Sequence, residues 1–354
     1  MIPYYFLLAI VMLIASQYDK SPKKTWTPII IIYFLMILFV GLRDVSVGTD
    51  TGHYVRSFSN FDQLEDDRNL QFDKEPGWWI LNKIGNTIGT NYAVLLILIA
   101  AITYANVLIV IKKHSDSLLI SLFVYITLCY FTFCMNAARQ GIAVGIYMFS
   151  FPCLLNRDFK RYVVWVLVAA MFHKTAVMAI PMYFFFTRGF SRKSIATLVC
   201  GSALLTYFLP ILLSYGASME QRYQLYLEES QGGGELLTVF YVAMAAYFII
   251  QRKYIKADLR HKYDTFLLMF ISGSTIYLLV ILTGAYIEIT RFAAYFQGAA
   301  VFLWPMILKN PYHKITSTVK CFIFLGHLGF MAIFLSKMAH LIPYVFNQTI
   351  WHAQ

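Results

Sequence analysis

Apolar runs recur from one end of the chain to the other, separated by short polar stretches. They fall near 2–16, 26–42, 91–111, 117–134, 138–155, 194–215, 235–251, 265–283, 289–308 and 317–337. A further apolar stretch, 161–187, is interrupted by His173 and Lys174. A helix that crosses a bilayer needs about 20 residues, with about 17–25 the usual range. Only helices and closed barrels satisfy their backbone polar groups in lipid, and runs of this length suit helices. The pattern therefore predicts an all-α, polytopic helical membrane protein. About ten spanning helices are expected, with a short half-helix hairpin bringing the total to 10–12 membrane segments. The whole chain, 1–354, reads as one integral membrane domain. Its first run resembles a signal sequence but lacks a basic leader and a small-residue cleavage site, so an uncleaved first helix is expected.

Composition agrees with this reading. The chain is 59% hydrophobic and 13% charged, with a mean hydropathy of +0.62. A soluble domain carries about twice that charge. The net charge of +11 does not point to nucleic acid, because the basic residues sit in short loops between apolar runs. There they act as orientation signals. Cys129, Cys134, Cys153, Cys200 and Cys321 lie in or beside apolar runs with no CxxC spacing, as small buried hydrophobes do.

Loops 17–25, 112–116, 156–161, 188–193, 252–264 and 309–316, with Lys320, hold 19 of the 29 Lys and Arg. They hold only five of the 18 acids. The positive-inside rule makes these loops cytoplasmic, and alternation then puts both termini outside. The stretch 161–187 resists alternation, because basic loops flank it on both sides. Either it crosses once and one loop breaks the rule, or it enters and returns as two half-helices with His173 and Lys174 at the turn. The hairpin is the favoured reading. The segment 43–90 becomes a large outer loop, polar at first and then amphipathic. Trp78 and Trp79 suit an interfacial helix near 75–89. A second outer loop, 216–234, ends in three glycines that suit a hinge.

Of the ten Lys and Arg outside those loops, five fall at or near the outer ends of apolar segments: Arg43, Arg139, Lys174, Arg222 and Arg291. Ionisable groups near membrane depth need partners and mark functional sites. Arg43 precedes Gly48, Asp50 and Tyr54, in a segment that could equally be a solvated loop with local Arg–Asp pairing. Arg139 and Gln140 open the fifth run, where free N–H groups, the helix dipole and a guanidinium together suit phosphate; snorkelling to lipid headgroups is the alternative. His173 and Lys174 interrupt an apolar stretch. Glu288 and Arg291 are three apart and could pair on one helix face, near Tyr295. Arg222 lies among acids and reads as a surface pairing. No P-loop, GxGxxG, GxSxG or HExxH occurs, and neither metal nor cofactor is expected.

In order and content these clusters resemble the EpsG family of Wzy-like polysaccharide polymerases. The likeness runs through Arg43, Gly48, Asp50 and Tyr54, then Glu75-Pro76-Gly77, then Arg139-Gln140, then Phe172-His173-Lys174, then Thr290-Arg291-Phe292 with Tyr295. Lys174 departs from the small or hydroxyl residue that the family commonly carries after this histidine. The resemblance implies a glycosyltransferase in the bacterial cytoplasmic membrane, working on its outer side. It would join oligosaccharide repeat units carried on undecaprenyl diphosphate, both donor and acceptor, and release undecaprenyl diphosphate. Membrane lipid and a chain-length regulator protein are the further partners implied. A flippase or transporter of lipid-linked oligosaccharide and an O-antigen-ligase-like transferase are the rival classes.

Such a reaction needs cations for the leaving diphosphate and a base for the acceptor hydroxyl. Arg139 and Arg291 are assigned first to the diphosphate, with Arg43 and Lys174 next. For the base, His173, with an ordinary pKa of about 6.5, ranks level with Asp50. Glu75 is third; both carboxyls start near about 4 and would serve better if burial raised them. Gln140, Tyr54, Glu288 and Tyr295 are expected to support the sugars or the site.

Overall fold

The computed structural model describes residues 1–21, 23–61, 75–217, 234–284, 289–338 and 340–351. Arg222, Glu288, the acids between 62 and 73 and most of the glycine-ended loop 216–234 lie outside the described residues. The described secondary structure is helical, save for one isolated bridge between Arg43 and Phe346. In chain order the helices begin with α1 (Ile2–Lys20), α2 (Thr27–Gly41), α3 (Thr51–Ser59) and α4 (Pro76–Ile88). Next come α5 (Ala93–His114), α6 (Leu118–Thr127), α7 (Phe133–Asn136), α8 (Ala138–Tyr147), α9 (Phe151–Leu155) and α10 (Phe159–Ala170). Then follow α11 (Tyr183–Phe186), α12 (Arg192–Ala217), α13 (Glu235–Gln251), α14 (Ala257–Thr283), α15 (Thr290–Gln297), α16 (Ala300–Leu308) and α17 (Ser317–Lys337).

Local chemistry sets many of these boundaries. Proline stands in the first turn of α1, α2 and α4, where its missing N–H costs nothing. Lys112, Lys113 and His114 close α5, facing the negative end of its dipole. Among the described residues six helices are long and apolar enough to cross a membrane: Ile2–Lys20, Ala93–His114, Ala138–Leu155, Glu235–Tyr254, Ala257–Thr283 and Ser317–Lys337. The pair α15 and α16, bent by 42°, makes a seventh if it counts as one. Other runs expected to span are shorter. The run 26–42 yields only Thr27–Gly41, and 117–134 yields Leu118–Thr127. The latter breaks where Cys129 takes a left-handed φ of 59°.

The chain divides into two compact units. The first comprises Met1–Pro152, Lys160–Val177 and Lys314–Gln354, and the second Cys153–Phe159 and Met178–His313. In the first, α5 packs against α2 and α8, and α6 against α1 and α17. One end of this unit is basic. There Asp19 accepts from the Ser117 hydroxyl and from the N–H groups of Leu118 and Leu119, capping α6. Nearby, Lys112 lies 4.2 Å from the Trp26 ring centre. At the other end the Tyr4 hydroxyl donates to Leu341 O at 2.8 Å. Asp44 N–H donates to Val345 O, and Asn347 N–H to Leu42 O. Residues near both chain ends therefore share the end that carries the α2–α3 loop.

The stretch 161–187 is a hairpin. Phe159 packs its ring 4.9 Å from Tyr183 and 5.2 Å from Phe184. A continuous helix would hold these positions about 36 Å apart. The chain instead runs out along α10, breaks at Met171–His173 and returns through a 3-10 segment, Lys174–Ala179, to α11.

Helix α4 matches the expected interfacial helix in extent. Its Ile80, Ile84 and Ile88 are exposed at a spacing of four, which makes one apolar face. Trp78, expected at the interface, is buried instead, 5.4 Å edge-on to Tyr54. In the second unit α14 packs against α12, α13 and α15. Arg252 holds Asp264 through two bonds, at 2.6 and 2.8 Å.

Single cysteines placed at Lys23 and at Ser46, in a background lacking native cysteines, test the two ends. A membrane-impermeant thiol reagent applied to intact cells should label position 46 and spare position 23. Labelling of both positions, or of 23 alone, would contradict the arrangement.

Candidate functional site

The site grows from the loop that leaves α2. Arg43 is 0% exposed. Its guanidinium donates to Val40 O at 2.6 Å, to Val47 O at 3.3 Å and to Thr51 Oγ1. No carboxylate pairs with it among the described residues. A buried guanidinium spends its donors wherever acceptors exist, and here they fold 43–51 into a compact turn. Gly48 closes that turn at φ +99°, and a Cβ there would lie 2.7 Å from Met135 O. Glycine is required on both counts. The loop then docks on the segment before α8. Thr49 N–H donates to Asn136 Oδ1 at 2.8 Å, and Thr51 Oγ1 to Met135 O at 3.3 Å. The Tyr54 hydroxyl accepts from Ala138 N–H at 3.0 Å and reaches Asp50 Oδ2 at 3.5 Å. Asp50 and Tyr54 are thereby tied to the start of the helix that carries Arg139 and Gln140.

Glu75 sits just before Pro76, at the entrance to α4, and is 6% exposed. Its Oε2 accepts from Arg139 at 2.6 Å. Its Oε1 accepts from Lys174 N–H at 3.3 Å and lies 3.1 Å from His173 Nδ1. Three remote pieces of chain thus meet on one carboxylate. Gly77 makes the meeting possible. Its N–H donates to Met171 O at 2.8 Å, and a Cβ would lie 3.0 Å from that oxygen and from the Phe172 ring. The hairpin tip is consequently fixed against the start of α4.

Burial pushes the Glu75 carboxyl up, but the His173 hydrogen bond and the Arg139 charge outweigh it and hold it down at about 2. The rise considered for a basic Glu75 is therefore reversed. The group is a carboxylate that accepts hydrogen bonds. With the Nδ1–H donating to Glu75, His173 keeps its Nε2 lone pair available. No described group bonds to Nε2. Arg139 and His173 remain partly accessible, at 18% and 24% of their side-chain surface. The cluster therefore offers a cation and an imidazole, both oriented by one anion.

Gln140 is buried directly after Arg139. Lys174 contributes its backbone N–H to Glu75, and its side chain is exposed at the hairpin tip. Arg43 does not join the cluster, because its guanidinium donates to the last turn of α2 and to its own loop. In the second unit Arg291 is exposed in the first turn of α15, and Tyr295 is fully buried. Asn136 and Gly77 stand in the sequence motifs around Arg139 and Glu75, but no role in the site was expected of either. Their signals were present but slight: Asn136 stands three residues before Arg139, and Gly77 completes Glu75-Pro76-Gly77. Among the described residues no group of three or more His, Cys, Asp or Glu gathers as a metal site.

A family model described as the EpsG family matches residues 26–346, nearly the whole chain. No curated protein and no solved structure matches significantly.

Two outcomes are expected. Gly48→Ala should lower the thermal stability of the detergent-solubilised protein by about 1–3 kcal/mol, from strain at positive φ and the clash with Met135; an unchanged melting temperature would contradict the close approach. Glu75 also links stability to pH. Its folded pKa lies below its ordinary value, so the unfolded state binds more protons and stability is lost as the pH is lowered. The loss should develop between pH 4.5 and about 2. Melting temperatures measured across that window should drop more for the native protein than for Glu75→Gln, and equal slopes would count against the ion pair.

Proposed function

Because the chain belongs to the EpsG family, a family of Wzy-like polysaccharide polymerases, we propose that it joins undecaprenyl-diphosphate-linked oligosaccharides into a polymer. The acceptor hydroxyl oxygen attacks the anomeric carbon of the donor sugar. The bond from that carbon to the diphosphate oxygen breaks, and undecaprenyl diphosphate leaves with the electron pair. The hydroxyl proton passes to a base. Neither nucleotide sugar nor ATP enters, because the diphosphate already activates the donor.

His173 is the base, through Nε2, with Glu75 orienting its ring from Nδ1 as a carboxylate orients imidazole in acyl-transfer triads. Arg139 receives the charge that develops on the leaving diphosphate, and its planar fork matches phosphate oxygens. Lys174 supplies a second cation from the hairpin tip, and Arg291, in the second unit, keeps its assignment to the diphosphate from the sequence alone. Asp50 and Tyr54 act on the acceptor or on the start of α8. Arg43 acts at one remove, by holding the loop that carries Asp50. The observation that carries this reading is the convergence of Arg139 and His173 on Glu75, since one anion positions both groups that the reaction needs. By the positive-inside rule the basic end of the first unit faces the cytoplasm. The site then opens to the outer side of the cytoplasmic membrane, where lipid-linked units arrive.

Arg139→Ala and Arg291→Ala should each abolish polymer while a single repeat unit still reaches the surface glycolipid. Arg139→Lys should recover only part of the activity, because an ammonium cannot make the two-pronged contact. Gel analysis of surface glycolipid reads all three. Normal long chains at normal protein level would overturn the assignment, and precursor trapped on the cytoplasmic side would mark a flippase instead.

A further inference from the structure

The two oxygens of Glu75 do different jobs. Oε2 is spent on Arg139, at 2.6 Å, while Oε1 serves His173 Nδ1 and Lys174 N–H. One contact can therefore break without disturbing the others. Arg139, with only 18% of its side-chain surface exposed, is costly to leave without strong acceptors, and Glu75 supplies one at rest. A lipid diphosphate would supply others during turnover. The backbone around Glu75 does not have to move for such an exchange, because Gly77 N–H stays bound to Met171 O.

We propose that Glu75 is a built-in occupant of the diphosphate seat, a positioning residue that neutralises Arg139 at rest and yields it to the lipid diphosphate on binding. The inference rests on the assignment of Arg139 to the diphosphate given above. During exchange Oε1 keeps hold of His173, so the base stays oriented while Arg139 changes partner. A diphosphate carries more charge than a carboxylate and more acceptor oxygens, so it wins the guanidinium when present. The carboxylate competes throughout, and this lowers the apparent affinity. That competition has a use. Undecaprenyl diphosphate must leave after every addition, and the return of Glu75 to Arg139 favours its departure.

Binding of farnesyl diphosphate, a soluble prenyl diphosphate, to the full-length protein in lipid nanodiscs tests this by calorimetry. Glu75→Gln keeps the shape and removes the charge. It should bind the probe about tenfold tighter than the native protein, the size expected for one lost charged contact, and extend polymer more slowly. Arg139→Gln should bind much more weakly. Where Glu75→Gln does not fold, Glu75→Asp, which shortens the reach to Arg139, should still bind tighter than native. Equal or weaker binding by the Glu75 variants, with binding lost in Arg139→Gln, would overturn the exchange and leave the diphosphate seat standing. Undiminished binding by Arg139→Gln, or no binding by any of the proteins, would overturn the seat and the exchange together.

Discussion

One carboxylate organises the polar end of the first unit. Glu75 accepts hydrogen bonds from Arg139, from His173 and from the Lys174 backbone, and it does so while almost wholly buried. A buried anion is costly unless its oxygens are satisfied, and these three donors come from two stretches of chain remote from Glu75, the start of α8 and the hairpin tip. The requirement runs in both directions. Without Glu75 the partly buried guanidinium of Arg139 would lose its 2.6 Å ion pair, and His173 would lose the contact that orients its ring. The α4 entrance, the α8 start and the hairpin tip therefore hold one another in place.

The surrounding fold supplies the conditions for that meeting. Apolar helices cannot bring polar groups together by themselves, so the breaks between them do so. The stretch after α10 stops at Met171–His173 and turns back, which carries an imidazole to the end of the unit opposite the basic loops. Gly77 and Gly48 allow backbones to approach where a side chain would collide. Arg43 spends its charge on carbonyls and a hydroxyl of the last turn of α2 and its own loop, and that loop presents Asp50 and Tyr54 to the start of α8. The segment 341–347 is bound to the same loop, so the far end of the chain contributes to the site's support.

The apolar runs were readable because the bilayer imposes one length and one secondary structure. Helices at 93–114, 257–283 and 317–337 fall close to where those runs predict them. The hairpin was readable from charge, since basic loops on both sides of 161–187 leave the chain no other way to obey the rule. Breaks were harder to see. Nothing in the run 117–134 announces that Cys129 will turn left-handed, because tertiary packing decides it. Arg139, His173 and Glu75 were each visible as polar residues in apolar company. Their meeting was not, because Glu75 lies 64 residues from Arg139 and 98 from His173. The same limit misplaced Arg43. A cation at a helix end looks alike in sequence whether it faces a ligand or is enclosed by its own loop. Trp78 shows the same ambiguity, since an aromatic suited to the interface can equally fill a core.

The central chemistry takes place at the lipid diphosphate. The most direct measurement supplies purified protein in a lipid bilayer with undecaprenyl-diphosphate-linked repeat unit, no nucleotide sugar and no ATP, and follows both chain length and free undecaprenyl diphosphate. Chains of two or more units should form, with one undecaprenyl diphosphate released for each linkage. Repeat unit that remains single, with no carrier released, would contradict the account.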